Sequence, residues 1–203
     1  MDLAPTILQV AGLEPYTMHA GESLLPLITG NGQAYSRNTV FAGRERHSSS
    51  RFDNLGGYPM RSVRWKDYLL VHNFHPERWP AGDPQELGKN GGPKEMHKAY
   101  FDIDAAPSKD YLVSHRSDSS VTPFFNASVA KRPEYELYNL KDDAACMKNI
   151  VSDAEFKDII AEMKQILRSK LEETNDSRIG NNPEIWESYP RIEGKMRRFP
   201  DKK

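Results

Sequence analysis

Residues 135–173 read YELYNLKDDAACMKNIVSDAEFKDIIAEMKQILRSKLEE, and two periodicities stand side by side in them. In Tyr135-Glu-Leu-Tyr-Asn-Leu140 apolar and polar side chains alternate, which predicts a strand, and Lys141-Asp-Asp143 turns the chain out of it. From about Asp153 to Glu173 the spacing changes. Phe156, Ile159, Ile160, Met163, Ile166, Leu167 and Leu171 recur at helical intervals, and Ser152 with Glu155 has the form of a capping box. A strand followed by a long helix with one apolar face calls for a sheet that the helix can cover.

The rest of that sheet is sought upstream. Strand-like runs occur at 39–41 and 58–74, where Met60, Val63, Trp65, Tyr68, Leu70 and Val71 supply bulk and Lys66-Asp67 reads as the turn of an antiparallel hairpin. The expected class is therefore α+β, an antiparallel sheet packed against a long C-terminal helix. Residues 79–133 show turn signals and little periodicity, which predicts irregular chain with short helical turns. From Thr174 onward the chain is polar, with Pro183, Pro190 and Pro200, and reads as a poorly ordered tail. At the other end, Leu3, Ile7, Val10 and Ala11 share one face of a helix that Asp2 can cap and Gly12 can end. A helix opening at the second residue is expected to belong to a larger upstream body. The segment 14–38, rich in Gly, Pro and polar residues, reads as a crossing between subdomains. The expected organisation is a remnant of an N-terminal domain plus linker at 1–36, a subdomain at 37–175 and a polar tail at 176–203.

Composition narrows the partners. The 28 basic and 29 acidic side chains give a formal charge of −1, so no global field recruits nucleic acid or an anionic membrane, and any anionic ligand must be held locally. No apolar run is long enough to span a bilayer. The single cysteine, Cys146, excludes an intrachain disulfide framework, and its acidic surroundings disfavour the thiolate that a nucleophile needs. His72 and His75 lack two recognisable companions for a zinc site, so no metal site is expected. Gly-x-Ser-x-Gly, Gly-Lys-Ser/Thr and His-Glu-x-x-His are all absent. The most suggestive polar stretch is Arg44-Glu-Arg-His47 with Arg51, directly after a predicted strand. Guanidinium forks suit sulfate or phosphate oxygens, and Glu45 can orient an arginine or accept from a sugar hydroxyl. A solvated charged turn is the competing reading.

Several stretches, taken in order, resemble one family. Asp2-Leu-Ala-Pro-Thr-Ile-Leu-Gln-Val-Ala-Gly-Leu13 and Gly21-Glu-Ser-Leu-Leu-Pro-Leu27 resemble segments near the end of the sulfatase N-terminal domain. Val40-Phe-Ala-Gly-Arg-Glu-Arg-His47, Tyr58-Pro-Met-Arg-Ser-Val63 and His72-Asn-Phe-His-Pro-Glu-Arg-Trp-Pro-Ala-Gly-Asp-Pro84 are similar to sulfamidases, the N-sulfoglucosamine sulfohydrolases, and their bacterial relatives. Glu136-Leu-Tyr-Asn-Leu-Lys-Asp-Asp143, Asn149-Ile-Val151 and the long helix resemble the sulfatase C-terminal ending.

This resemblance implies a fold: the last helix of an alkaline-phosphatase-superfamily α/β domain, followed by the sulfatase C-terminal subdomain. It also implies a formylglycine made within Cys/Ser-x-Pro-x-Arg and a calcium ion in the full-length parent. This chain has no such motif, since Cys146 is followed by Met147-Lys-Asn, and the calcium ligands would precede Met1. No catalytic residue is therefore expected here, and the chain alone is expected to be inactive. What the resemblance leaves to it is one wall of a pocket for a sulfated sugar, with Arg44, Glu45, Arg46, His47, Arg51, Arg78 and Asp83 as candidates, completed by the missing N-terminal domain. Relatives of this kind work in the periplasm, outside the cell or in lysosomes. Two other expectations are weighed: a stand-alone, non-catalytic module that binds sulfated glycans or a partner protein, and the phosphatase or phosphodiesterase chemistry of the same superfamily.

Overall fold

The computed structural model describes residues 1–14, 21–31, 38–45, 50–51 and 56–189. The chain divides into two units, Met1–Asn38 and Thr39–Lys203. In the first, helix α1 (Leu3–Val10) is joined to the short α2 (Leu25–Ile28) through Thr6. The Thr6 hydroxyl donates to the Asp2 carbonyl at 2.6 Å and accepts from the Leu24 N–H at 2.8 Å. Asp2 does not cap α1 as expected; its carboxylate accepts from the Glu22 N–H at 3.0 Å instead. Leu3, Ile7 and Val10, the apolar positions of α1, are exposed.

The second unit is built on a four-stranded antiparallel meander, β1 (Thr39–Arg44), β2 (Met60–Trp65), β3 (Tyr68–Asn73) and β4 (Tyr135–Asn139), in that spatial order. Lys66, at a left-handed φ of 53°, makes the β2–β3 turn. Register places Val63 opposite Leu70 and Leu70 opposite Leu137, so one face carries a continuous apolar row. On it lies α5 (Lys157–Glu173), which buries Met163, Leu167 and Leu171 against that row. Val63, Leu70, Leu137 and Met163 are wholly inaccessible to solvent, and burial on that scale contributes about 1.5–3 kcal/mol per large side chain. The α+β arrangement expected from the two periodicities is thus the one observed.

Local details differ from the sequence reading. The long helix is entered through a 3₁₀ turn, Ala154–Phe156, behind Asp153, and no side chain caps it, so the Ser152/Glu155 box does not form. Residues 79–133 contain two eight-residue helices, α3 (Pro107–Ser114) and α4 (Thr122–Val129), packed with Ala81 and Tyr100 in a smaller apolar cluster. The chain beyond Thr174 is structured as far as it is described. Asn175, at a φ of 51°, lets the Asp176 N–H reach back to the Leu171 carbonyl at 2.8 Å, which closes α5. A 3₁₀ turn, Ser177–Ile179, then buries Arg178, and α6 (Ile185–Ser188) follows.

Candidate functional site

Strand alternation decides where the charged block after β1 goes. Arg44 is opposite Met60, which is opposite Asn73, so it faces away from α5; the next residue of extended chain points the other way. The stretch read as one pocket wall is therefore divided between two sides of the sheet. Arg46 and His47 lie outside the described residues.

On the α5 side Glu45 enters an ion-pair network. Its carboxylate accepts from Arg61 Nη2 at 2.6 Å and from Arg178 Nη2 at 2.6 Å. Arg61 Nε also donates to Asp176 at 2.7 Å, and Arg178 Nη2 donates to Glu187 at 3.1 Å. Arg78 joins through Glu187 at 3.0 Å and the Gly57 carbonyl at 3.1 Å, while His75 lies between Glu77 at 2.8 Å and Glu184 at 3.0 Å. Burial pushes the Asp176 and Glu187 carboxyls up, but hydrogen bonds from Arg61, Arg78 and Arg178 outweigh it, and both are held below their ordinary values. His75, Glu184 and Glu187 converge closely enough to share a cation. They do not fit the calcium ion of the sulfatase resemblance, because calcium takes six to eight oxygens and here Arg78 and Arg178 already neutralise the carboxylates. The formylglycine has no residue to arise from in this chain. Cys146 lacks the required motif, and burial, followed by the charges of Asp143 and Glu136, pushes its thiol up.

On the open side of the sheet a cavity of about 400 Å³ lies between the strands, the Trp79–Asp83 loop, the turn at Asp102 and the end of α4. Arg44 sits at its edge, its Nη2 donating to Asp102 Oδ2 at 3.0 Å and to the Pro80 carbonyl at 3.2 Å. Asp102 is also met by Arg51 at 3.1 Å. Arg51 is engaged inside the protein: it donates to the Trp79 carbonyl at 2.6 Å, to that of Pro80 at 3.2 Å and to the Ser50 hydroxyl at 3.3 Å. It positions the loop and, through Asp102, positions Arg44. Asp83 extends the support through its backbone, its N–H donating to Ser50 at 2.8 Å and its carbonyl accepting from Tyr100 at 2.9 Å. Lys109 fixes the turn that presents Asp102, its Nζ donating to the carbonyls of Ala99, Tyr100 and Ile103 at 2.9–3.0 Å.

The cavity floor carries groups that the sequence reading did not nominate. Glu136 is buried, with one oxygen accepting from Asn73 Nδ2 at 2.8 Å and the other from the Tyr138 hydroxyl; Arg132 Nη1 lies 3.9 Å from it. Tyr58 is buried beside them, and its hydroxyl has no hydrogen-bond partner among the described residues. Burial, then the Glu136 charge, pushes this phenol up to about 12, so it holds its proton at neutral pH. One signal for these groups exists in the sequence. In β4, Leu137 faces α5, so Glu136 and Tyr138 must share the other face, and a carboxylate beside an aromatic there marks a polar interior.

No protein-family model matches this chain, and no curated protein matches it in sequence. Solved structures do match. A candidate sulfatase from Bacteroides thetaiotaomicron VPI-5482 aligns over 87% of this chain and 25% of its own length, with 20% identity and a TM-score of 0.51. A 2-O GAG sulfatase aligns over 93% of this chain and 28% of its own, with 18% identity and a TM-score of 0.52. The shared feature is the fold: this chain has the α+β arrangement of about a quarter of those proteins.

Proposed function

We propose that this chain is the C-terminal part of a sulfatase, of the N-sulfoglucosamine or a related sulfate-ester type, and that the Arg44 end of β1 forms one wall of its substrate pocket. The observation that carries the reading is that 87–93% of the chain superposes on a quarter of two sulfatases. The order of the sulfatase-like segments along the sequence supports it independently. In this reading formylglycine and calcium belong to the α/β domain, which performs the hydrolysis. The wall supplies positioned cationic hydrogen-bond donors, of the kind that recognise sulfate oxygens. Arg44 is the best placed described donor, because Asp102 and the Pro80 carbonyl fix its guanidinium while it stays partly exposed at the cavity edge.

Two measurements test the reading. The DNA upstream of the Met1 codon should encode a Cys/Ser-x-Pro-x-Arg motif and an Asp-rich metal site; a genomic sequence without them overturns the proposal. The protein joined to that segment should release sulfate from N-sulfoglucosamine or a sulfated sugar. Arg44→Ala in the joined protein should raise KM about tenfold or more, the loss expected for one charged hydrogen bond.

A further inference from the structure

The ion-pair network on the α5 side of the sheet includes one histidine that arginine pairing does not explain. Both ring nitrogens of His75 face carboxylate oxygens: Nδ1 lies 2.8 Å from Glu77 Oε1, and Nε2 lies 3.0 Å from Glu184 Oε1. A neutral imidazole has a single ring hydrogen, so whichever oxygen accepts it, the other confronts a bare nitrogen lone pair. Something positive belongs between them. Glu187, three residues on from Glu184 in α6, joins the same cluster, and one ligand atom from each of His75, Glu184 and Glu187 lies within 4.8 Å of the others. Arg78 and Arg178 both donate to Glu187 Oε1, while its buried Oε2 has no hydrogen-bond partner among the described residues.

Charge asks for a cation as well. Arg78 and Arg178 match Glu184 and Glu187 in number, but Arg178 is shared with Glu45, and Arg61 is shared between Glu45 and Asp176. With Glu77 beside His75, the described residues of the network hold five carboxylates and three guanidiniums, which leaves two negative charges in a partly buried place. A second proton on His75 would remove one of them and leave Glu187 Oε2 unanswered. A divalent cation removes both. Donor chemistry selects the ion, because an imidazole nitrogen with carboxylate oxygens suits zinc, whereas calcium and magnesium take shells of six or more oxygens. Tetrahedral zinc with bonds of about 2.0 Å sets its ligand atoms about 3.3 Å apart, close to the 3.0 Å between His75 Nε2 and Glu184 Oε1.

We infer that His75, Glu184 and Glu187 form a zinc site, with His75 Nε2 and one oxygen of each glutamate as ligands and Glu77 accepting the Nδ1 hydrogen to orient the ring. A water on the exposed Glu184 side completes the four-coordinate shell. The companions that His75 lacks in the neighbouring sequence arrive 109 residues later, at α6. Ligation ties α6 to the chain leaving β3 and so holds the segment beyond α5 in place. The site does not depend on the sulfatase reading, in which calcium and formylglycine belong to the α/β domain.

The test is calorimetric titration of the 203-residue chain with zinc chloride at pH 7, with cobalt(II) as a spectroscopic substitute. Zinc should bind one equivalent with a Kd of about 1 μM or tighter, and about a hundredfold more tightly than calcium or magnesium. Cobalt should give the visible bands of a four-coordinate nitrogen and oxygen site with no thiolate charge-transfer band, which sets Cys146 aside. His75→Gln should weaken zinc binding about a hundredfold, Glu184→Gln about tenfold, and Glu77→Gln, which meets the ring from outside the site, about tenfold. Glu184 is exposed, so its variant keeps the test decisive even if His75→Gln fails to fold, and thermal unfolding checks both. Zinc binding weaker than about 1 mM, binding indifferent to Glu184→Gln or to a folded His75→Gln, or calcium bound as tightly as zinc each overturns the inference.

Discussion

Arg178 closes on Glu45 with two donors: Nε lies 3.1 Å and Nη2 2.6 Å from Glu45 Oε2. The contact joins the chain leaving β1 to the turn that follows α5. Because Arg178 is wholly buried, the pair locks the end of the α5 layer to the sheet edge, where a surface pair would contribute little.

Removing Arg178 should therefore be costly. Among the described residues, Arg178→Met leaves Glu187 with only Arg78 and Glu45 with only Arg61. Breaking a buried pair by deleting one partner costs about 3 kcal/mol, and urea denaturation should show a loss of that order. Glu45→Gln should cost less, and the double variant should be less destabilised than the two single losses added together. Strict additivity would mean that the pair is not coupled.

The same network sets the response to acid. The Asp176 carboxyl is held below its ordinary 3.8, and that of Glu187 below 4.5, by arginine hydrogen bonds that outweigh burial. A carboxyl whose folded pKa is depressed contributes stability that is fully present above its unfolded value and lost as pH falls through the folded one. Stability should hold from neutral pH down to about 5, then fall below 4.5 and further below 3.8. Asp176→Asn should lower stability at pH 7 and flatten the acid limb. Urea midpoints at pH 7 and pH 3 for both proteins check this.

How much of this was legible follows from which patterns are local. The Met163–Leu167–Leu171 row and the Lys66-Asp67 turn are written within one element each, so period and turn chemistry find them. Two helices in 79–133 were not legible, because α3 and α4 are short and their apolar positions answer Ala81 and Tyr100 in the preceding loop, with no extended apolar face of their own. The ordered segment beyond α5 was hidden for a stronger reason. Arg178 and Glu187 look like solvated charges in a polar stretch, and only the approach of Glu45 and Arg78 turns them into buried pairs. In the candidate site, Arg44 and Arg51 were nominated as equals. The fold distinguishes them, since Arg51 points into the Trp79–Pro80 backbone and Arg44 reaches the cavity.

Gly82 should tolerate no side chain. Its φ of +86° is one that L-residues rarely adopt, and an added Cβ would lie 2.8 Å from Ser50 Cβ and 2.9 Å from its hydroxyl. Gly82→Ala should cost about 1–3 kcal/mol in urea denaturation. It should also displace the loop that Arg51 and the Asp83 N–H hold in place. An unchanged urea midpoint would show that this loop adjusts freely.

The two tyrosines of the cavity should respond to loss of the hydroxyl with opposite signs. Tyr138 donates to Glu136, so Tyr138→Phe leaves a buried carboxylate oxygen with only the more distant Arg132 as a partner among the described residues and should cost about 1–3 kcal/mol. Among the described residues Tyr58 has no partner to lose. Its hydroxyl gives up hydrogen bonding to water on folding and gains nothing in return. Tyr58→Phe keeps the ring and removes that penalty, so stability should be unchanged or raised by up to about 1 kcal/mol. Thermal and urea unfolding of both variants read the contrast directly. If Tyr58→Phe destabilises as much as Tyr138→Phe, the phenol has an acceptor within the folded chain.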